Sequence, residues 1–275
     1  MLSSVLLPTD LSPAQDLVMS FAVGLADLGV RRVVCCHVVD ATGLEGPVIS
    51  AKVAAAREQL AHSTKRLLAA GLEVDVLVTT GDPERELLMM ASRGNVDALV
   101  CGSSGKTTTA DRLFIGSVSE RLVRDGGIPS LTVRYDLLHT VEDPADLARR
   151  FGRVLLVPTD FSGTAARALD TALSLPRKSV GMVRIFNVLP NGDGDAEADA
   201  KLRKLVGIAK DRGLQASAVI GHGAPEKAIL TEVQGSGITG IVVGSRGRSV
   251  LQAALMGSVS MTLMRQAPCP VLIVP

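Results

Sequence analysis

The residues best placed to do chemistry form a glycine motif near the end of the chain. Gly244 and Gly247 are separated by two residues, nine more follow, and then come Gly257 and Ser258. Gly244 follows the apolar run 238–243, and Gly257-Ser258 opens an apolar-periodic segment. Gly247 can take φ > 0 and lets the backbone approach a ligand closely. A helix starting at Ser258 would offer free N–H groups and the positive end of its dipole to an anion. Ser258 adds a hydroxyl, and Arg248 can pair with phosphate oxygens. Together these residues predict a cradle for a polyphosphate. The bland alternative is a strand exit followed by an N-capped helix, with no ligand.

A second group precedes it. Pro158-Thr159-Asp160 ends an apolar run, and Asp160 can accept hydrogen bonds from ribose hydroxyls or adenine N–H groups. An Asx turn or helix cap would use the same residue with no ligand. Three rival motifs fail. Gly105-Lys106-Thr107 resembles the tail of a P-loop, but the glycine required five residues before Gly105 is Val100. No G-x-G-x-x-G follows either first strand. Asp193, Asp195 and Glu197 suggest a calcium loop, yet Ala198 and Lys204 stand where Gly and Glu are needed; the run is expected to be a solvated loop before a helix.

Both groups occur twice. Leu7-Pro8-Thr9-Asp10 returns as Val157-Pro158-Thr159-Asp160, and Cys36-His37-Val38 as Phe186-Asn187-Val188, both displaced by 150 residues. Gly81-Asp82-Pro83-Glu84 returns as Gly223-Ala224-Pro225-Glu226, and Gly102-Ser103-Ser104-Gly105 as Gly244-Ser245-Arg246-Gly247, both displaced by 142. Gly116-Ser117 returns as Gly257-Ser258, displaced by 141. Ten residues, 106–115, therefore separate Gly105 from Gly116, one more than in the second motif. This insertion predicts weaker phosphate geometry in the first copy.

The elements that must position these residues follow from the repeat. Each copy alternates five strands with helices. In the second copy, strands are expected at 153–157, 180–188, 214–220, 238–243 and 271–274. Helices are expected at 164–175, 197–212, 226–233 and 258–266, with Ser162 as a cap, Pro225 at a helix start and Gly213 after a helix end. This alternation argues an α/β fold with a parallel sheet covered on both faces. Ligands of such sheets bind beyond the carboxyl ends of the strands, where the repeated motifs fall. The expected domains are 1–137 and 152–275, joined by a polar linker at 138–151. The last strands, 130–133 and 271–274, are expected at sheet edges, pairing the copies about a pseudo-twofold; dimerisation of whole chains is a further expectation.

Composition narrows the function classes. The chain has 275 residues, 47% hydrophobic and 21% charged, with net charge +1. That excludes a disordered chain and supplies no global basic field for nucleic acid. Aromatics are 2%, with no Trp and one Tyr, which predicts an adenine held by aliphatic side chains and backbone groups. Cys35, Cys36, Cys101 and Cys269 lack metal-ligand spacing and are expected to be small core residues. No uninterrupted apolar stretch of membrane-spanning length and no secretory leader pattern is visible, so the expected compartment is the cytoplasm, without membrane association.

With these residues in view, the chain resembles the universal stress protein family, as two tandem domains. Gly-x2-Gly-x9-Gly-Ser, Pro-Thr-Asp-Phe-Ser and the terminal Pro-Val-Leu-Ile-Val carry the likeness. The resemblance implies five-stranded, Rossmann-like domains of the adenine-nucleotide-alpha-hydrolase type. Its ATP-binding branch implies ATP, with Mg2+ as companion. The implied site in the second copy is Pro158, Thr159, Asp160, Val188, Gly244, Gly247, Arg248, Gly257, Ser258 and Val259. In the first copy it is Asp10, Val38, Gly102, Gly105, Gly116 and Ser117. The expected role is a nucleotide-binding stress or signalling module. The alternatives are a weak ATPase, for which neither glycine loop supplies a general base, and a structural dimerisation module without nucleotide.

Overall fold

The computed structural model describes residues 2–93, 95–103, 116–189, 194–247 and 256–275. The chain divides into two compact units, Leu2–Ala148 and Arg149–Pro275. The first runs β1 (Ser4–Pro8), α1 (Pro13–Val23), β2 (Arg32–Val39), α2 (Gly46–Ser63), α3 (Lys65–Ala69), β3 (Glu73–Thr80), α4 (Pro83–Ser92), β4 (Ala98–Ser103), α5 (Gly116–Asp125), β5 (Ser130–Arg134), α6 (Tyr135–His139) and α7 (Ala145–Arg150). The second runs β6 (Val154–Pro158), α8 (Gly163–Leu173), β7 (Met182–Leu189), α9 (Asp195–Asp211), β8 (Gln215–His222), α10 (Pro225–Gly235), β9 (Gly240–Gly244), α11 (Ser258–Gln266) and β10 (Val271–Val274).

The five strands of each unit are parallel. Those of the first stand in the order β3-β2-β1-β4-β5 and those of the second in the order β8-β7-β6-β9-β10. The chain therefore reverses direction of travel beside β1 and β6. Such a switch leaves a crevice at the carboxyl ends of the two central strands. In the second unit β6 pairs with β7 (Val157 with Ile185) and with β9 (Leu156 with Ile241). Every residue of β4 and β9 is buried, as their continuous apolar runs require of strands covered on both faces.

Local chemistry sets the helix ends. Ser162 caps α8 by accepting from the Ala165 N–H at 3.3 Å, and Asp82 caps α4 through Arg85 N–H at 2.8 Å. Pro225 begins α10, and Gly213 follows α9 at φ 77°. One helix start differs from expectation. Gly194, at φ 95°, precedes α9, so Asp195 and Glu197 lie in its first turn and not in a loop. Carboxylates there complement the helix dipole.

The linking stretch is folded as well. Asp143 accepts from the Ala145 N–H at 3.0 Å and starts α7. A Cβ on Gly24 would lie 2.9 Å from the Ala148 Cβ, so this helix packs closely on the first unit. Leu138, Ala145 and Ala148 are buried. A composition dominated by charge conceals these few apolar residues.

Candidate functional site

The site begins where β6 ends. The Thr159 N–H donates to the Phe186 carbonyl at 2.8 Å, extending the ladder by one rung. Thr159 Oγ1 then accepts from the Phe161 N–H at 3.0 Å, and Asp160 Oδ1 accepts from the Ser162 N–H at 3.0 Å. These two side-chain turns enclose Phe161, which is held at φ 61°. Left-handed backbone is a rare conformation for a bulky residue. The first copy repeats the device with Thr9, Asp10 and Leu11, the last at φ 62°. The Asx turn is thus formed in both copies by one oxygen of the aspartate. The other oxygen, Oδ2 of Asp160, lies 2.9 Å from where a Cβ on Gly247 would stand. Gly247 is not at φ > 0. The missing Cβ lets its loop approach Asp160 closely, without use of the left-handed region open to a glycine.

A residue that sequence reasoning passed over fixes the second strand. Asn187 is 4% exposed and its Nδ2 donates to the Thr159 carbonyl at 2.6 Å. In the first copy His37 Nδ1 bonds the Thr9 carbonyl at 2.8 Å. The signal was present: a hydrogen-bonding side chain at the same place in both copies of an apolar strand.

The glycine arm is tied at both ends. The Ser245 N–H donates to the Val274 carbonyl at 2.7 Å, and the Gly257 N–H donates to the Ser245 carbonyl at 2.8 Å. Ser260, buried, donates to the Gly244 and Ser245 carbonyls at 3.0 Å. On the other side, the Thr164 hydroxyl donates to the Arg246 carbonyl. The first-turn N–H groups of α11, which no intrahelical acceptor satisfies, are thereby held beside the end of β9.

These arms enclose a cavity of about 580 Å3. Pro158, Thr159, Asp160, Val188, Gly244, Gly247, Gly257, Ser258 and Val259 all line it. Arg248 lies outside the described residues. Helix α9 contributes a further wall through Glu197, Ala198 and Lys201. Lys201 pairs with Glu197 and its Nζ sits 5.3 Å from the centre of the Phe161 ring, within cation–π range. Phe161 and Phe186 line the cavity alongside its aliphatic residues. A low aromatic count does not say where the few aromatics lie.

In the first copy, Asp10, Val38 and Gly102 stand at or just beyond the ends of β1, β2 and β4, and Gly116-Ser117 opens α5. Gly105 and the insertion 106–115 lie outside the described residues. Where the second copy has cavity-lining Ala165, the first has Gln15. Its Nε2 donates to the Pro8 carbonyl, and its Oε1 accepts from the Tyr135 hydroxyl at 2.8 Å. The Tyr135 ring lies against Gly102, where a Cβ would come within 2.2 Å of it. Burial, with Cys101 and Asp10 nearby, pushes the Tyr135 phenol well above its ordinary range. No group of three or more metal-ligating side chains occurs among the described residues.

Comparison with known proteins settles the family. The universal stress protein family model matches residues 1–134 and again 152–275. The chain belongs to the universal stress protein family. It carries the family's domain twice, and its Rossmann-like parallel sheets are those of that family. It is 30% identical over 149 residues to a universal stress protein of Bacillus subtilis, YxiE, covering 44% of this chain and 97% of that one. It is 28% identical over 200 residues to the universal stress protein Rv2005c of Mycobacterium tuberculosis, 67% of this chain and 64% of that one. A crystal structure of a universal stress protein from Archaeoglobus fulgidus superposes with a TM-score of 0.79 at 28% identity, covering 98% of this chain and 97% of that one. Among the described residues, no helix of this universal stress protein is long and apolar enough to cross a membrane.

Proposed function

We propose that the cavity of the second copy binds an adenine nucleotide, and that occupancy changes the protein's conformation or its choice of partner. The observation that carries this reading is the convergence of Pro158–Asp160, Val188, Gly244, Gly247 and Gly257–Val259 on one cavity of about 580 Å3. That volume suits a drug-sized ligand. Asp160 and the end of β7 would hold the adenosine. The glycine arm and the N–H groups of α11 would hold the phosphates, with Lys201 and Arg246 supplying positive charge. The residues present fit ATP, with Mg2+ held through its phosphates. This reading favours ligand-dependent signalling over a purely structural dimerisation module, because a dimerisation module has no need of a pre-formed cavity.

Isothermal titration calorimetry with ATP, together with mass spectrometry of nucleotide released from the purified protein, tests it. Asp160→Ala is expected to weaken ATP binding by about 1–3 kcal/mol through lost hydrogen bonds. Asp160→Asn keeps an oxygen for the Ser162 N–H, so it is expected to lose affinity with a smaller loss of thermal stability. Wild-type protein that neither releases nor binds an adenine nucleotide would overturn the reading.

A further inference from the structure

The Ser258 hydroxyl donates to the Glu226 carboxylate at 2.7 Å. Ser258 lines the cavity and opens α11; Glu226 lies in the first turn of α10, next to cavity-lining Pro225. The first copy has an acidic residue at the corresponding place, Glu84, and there Arg121 of α5 pairs with it at 2.7 Å. The residue matching Arg121 in the second copy is Thr262. Among the described residues, no cation forms an ion pair with Glu226. One acidic position thus has a guanidinium partner in the first copy and a serine hydroxyl in the second.

A phosphate group taking up the Ser258 hydroxyl would bring its oxygens close to the Glu226 carboxylate. Like charges at that spacing repel, and a divalent cation between them turns the repulsion into attraction. Mg2+ is commonly held by one or two carboxylates plus substrate phosphates, through oxygen donors only. Glu226 and Ser258 are such donors. No larger ligating cluster occurs among the described residues, so phosphate oxygens and water would complete the cation's coordination. We propose that Glu226 makes polyphosphate binding in this cavity conditional on a divalent cation, by serving as that cation's protein ligand. This rests on the nucleotide reading of the cavity.

The test is calorimetry of ATP binding with excess Mg2+ and with EDTA, in the wild type, Glu226→Gln and Thr262→Arg. Gln keeps an oxygen for Ser258 and removes the charge; Arg supplies the first copy's partner. The wild type is expected to bind at least about tenfold more tightly with Mg2+, a difference of about 1.4 kcal/mol. Both variants are expected to cut that ratio to about threefold or less, chiefly by binding metal-free ATP better. Mn2+ titrated without nucleotide, followed by its EPR signal, should show no tight site. ATP binding that keeps the wild-type metal ratio in both variants would overturn this inference and leave the nucleotide reading standing. Tight Mn2+ binding without nucleotide would also overturn it. Absence of ATP binding in the wild type under both conditions would overturn both.

Discussion

A Cβ on Gly247 would lie 2.9 Å from Asp160 Oδ2, whereas one on Gly257 would meet nothing closer than 3.4 Å. The two glycines therefore do different work. Gly247→Ala must displace either its loop or the Asp160 carboxylate. It is expected to weaken nucleotide binding and also to lower the melting temperature. Gly257→Ala fits the folded protein and is expected to leave the melting temperature unchanged while weakening binding, because its Cβ would crowd a ligand at the start of α11. Gly244 differs again. A Cβ there would come 2.8 Å from the Thr164 carbonyl carbon, so Gly244→Ala is expected to destabilise the fold whether or not a ligand is present. Thermal melts and calorimetry on the three variants separate these outcomes. In the sequence the three glycines were legible as one motif. Their separate roles were not, because each depends on an atom distant along the chain.

At the scale of elements, the turn after β1 and β6 is the most distinctive feature. Thr and Asp side chains each accept from the N–H two residues on, and the residue between is left-handed. Left-handed backbone costs a residue with a Cβ roughly 1–2 kcal/mol. Glycine avoids that cost but gives up more entropy on folding. Leu11→Gly is therefore expected to change stability by less than about 1 kcal/mol in either direction. A loss above about 2 kcal/mol in urea unfolding would show that packing of the Leu11 side chain outweighs its backbone strain. The same substitution at Phe161 also removes the ring beneath Lys201 and part of the cavity wall. It is expected to weaken ligand binding where Leu11→Gly does not.

At the scale of the molecule, the four thiols are all buried, and burial pushes each from the ordinary 9.0 up to about 12. They are therefore neutral in the folded state well above pH 9, while thiols of the unfolded chain ionise near it. Stability from this source is complete below pH 9 and is lost as pH rises from there toward 12. Urea midpoints should fall on the alkaline side of pH 9, and Cys→Ser variants should fall less steeply. Iodoacetamide at neutral pH should label the native thiols slowly and all of them after denaturation. We also propose that the two copies differ in ligand binding, with the second the tighter. Gln15, bonded to the Tyr135 hydroxyl, stands in the first copy at the position that cavity-lining Ala165 holds in the second. Titrating Asp10→Ala and Asp160→Ala separately tests this. Loss of the high-affinity site in the Asp10 variant alone would reverse the ranking.

The order of the strands, the parallel sheets and part of the second copy's cavity lining were readable from the chain alone. The reason is that strand runs, helix caps and turn residues act over a few positions, and an internal repeat states each of them twice. Helix α11 and strand β10 fall at the expected residues for that reason. The tertiary structure alone decided what each position faces. It placed Asn187 against Thr159, Gly247 against Asp160, Tyr135 over Gly102 and Ser258 on Glu226. Each of these pairs joins segments far apart in sequence. Their meeting depends on how strands register and helices pack, which no local pattern encodes.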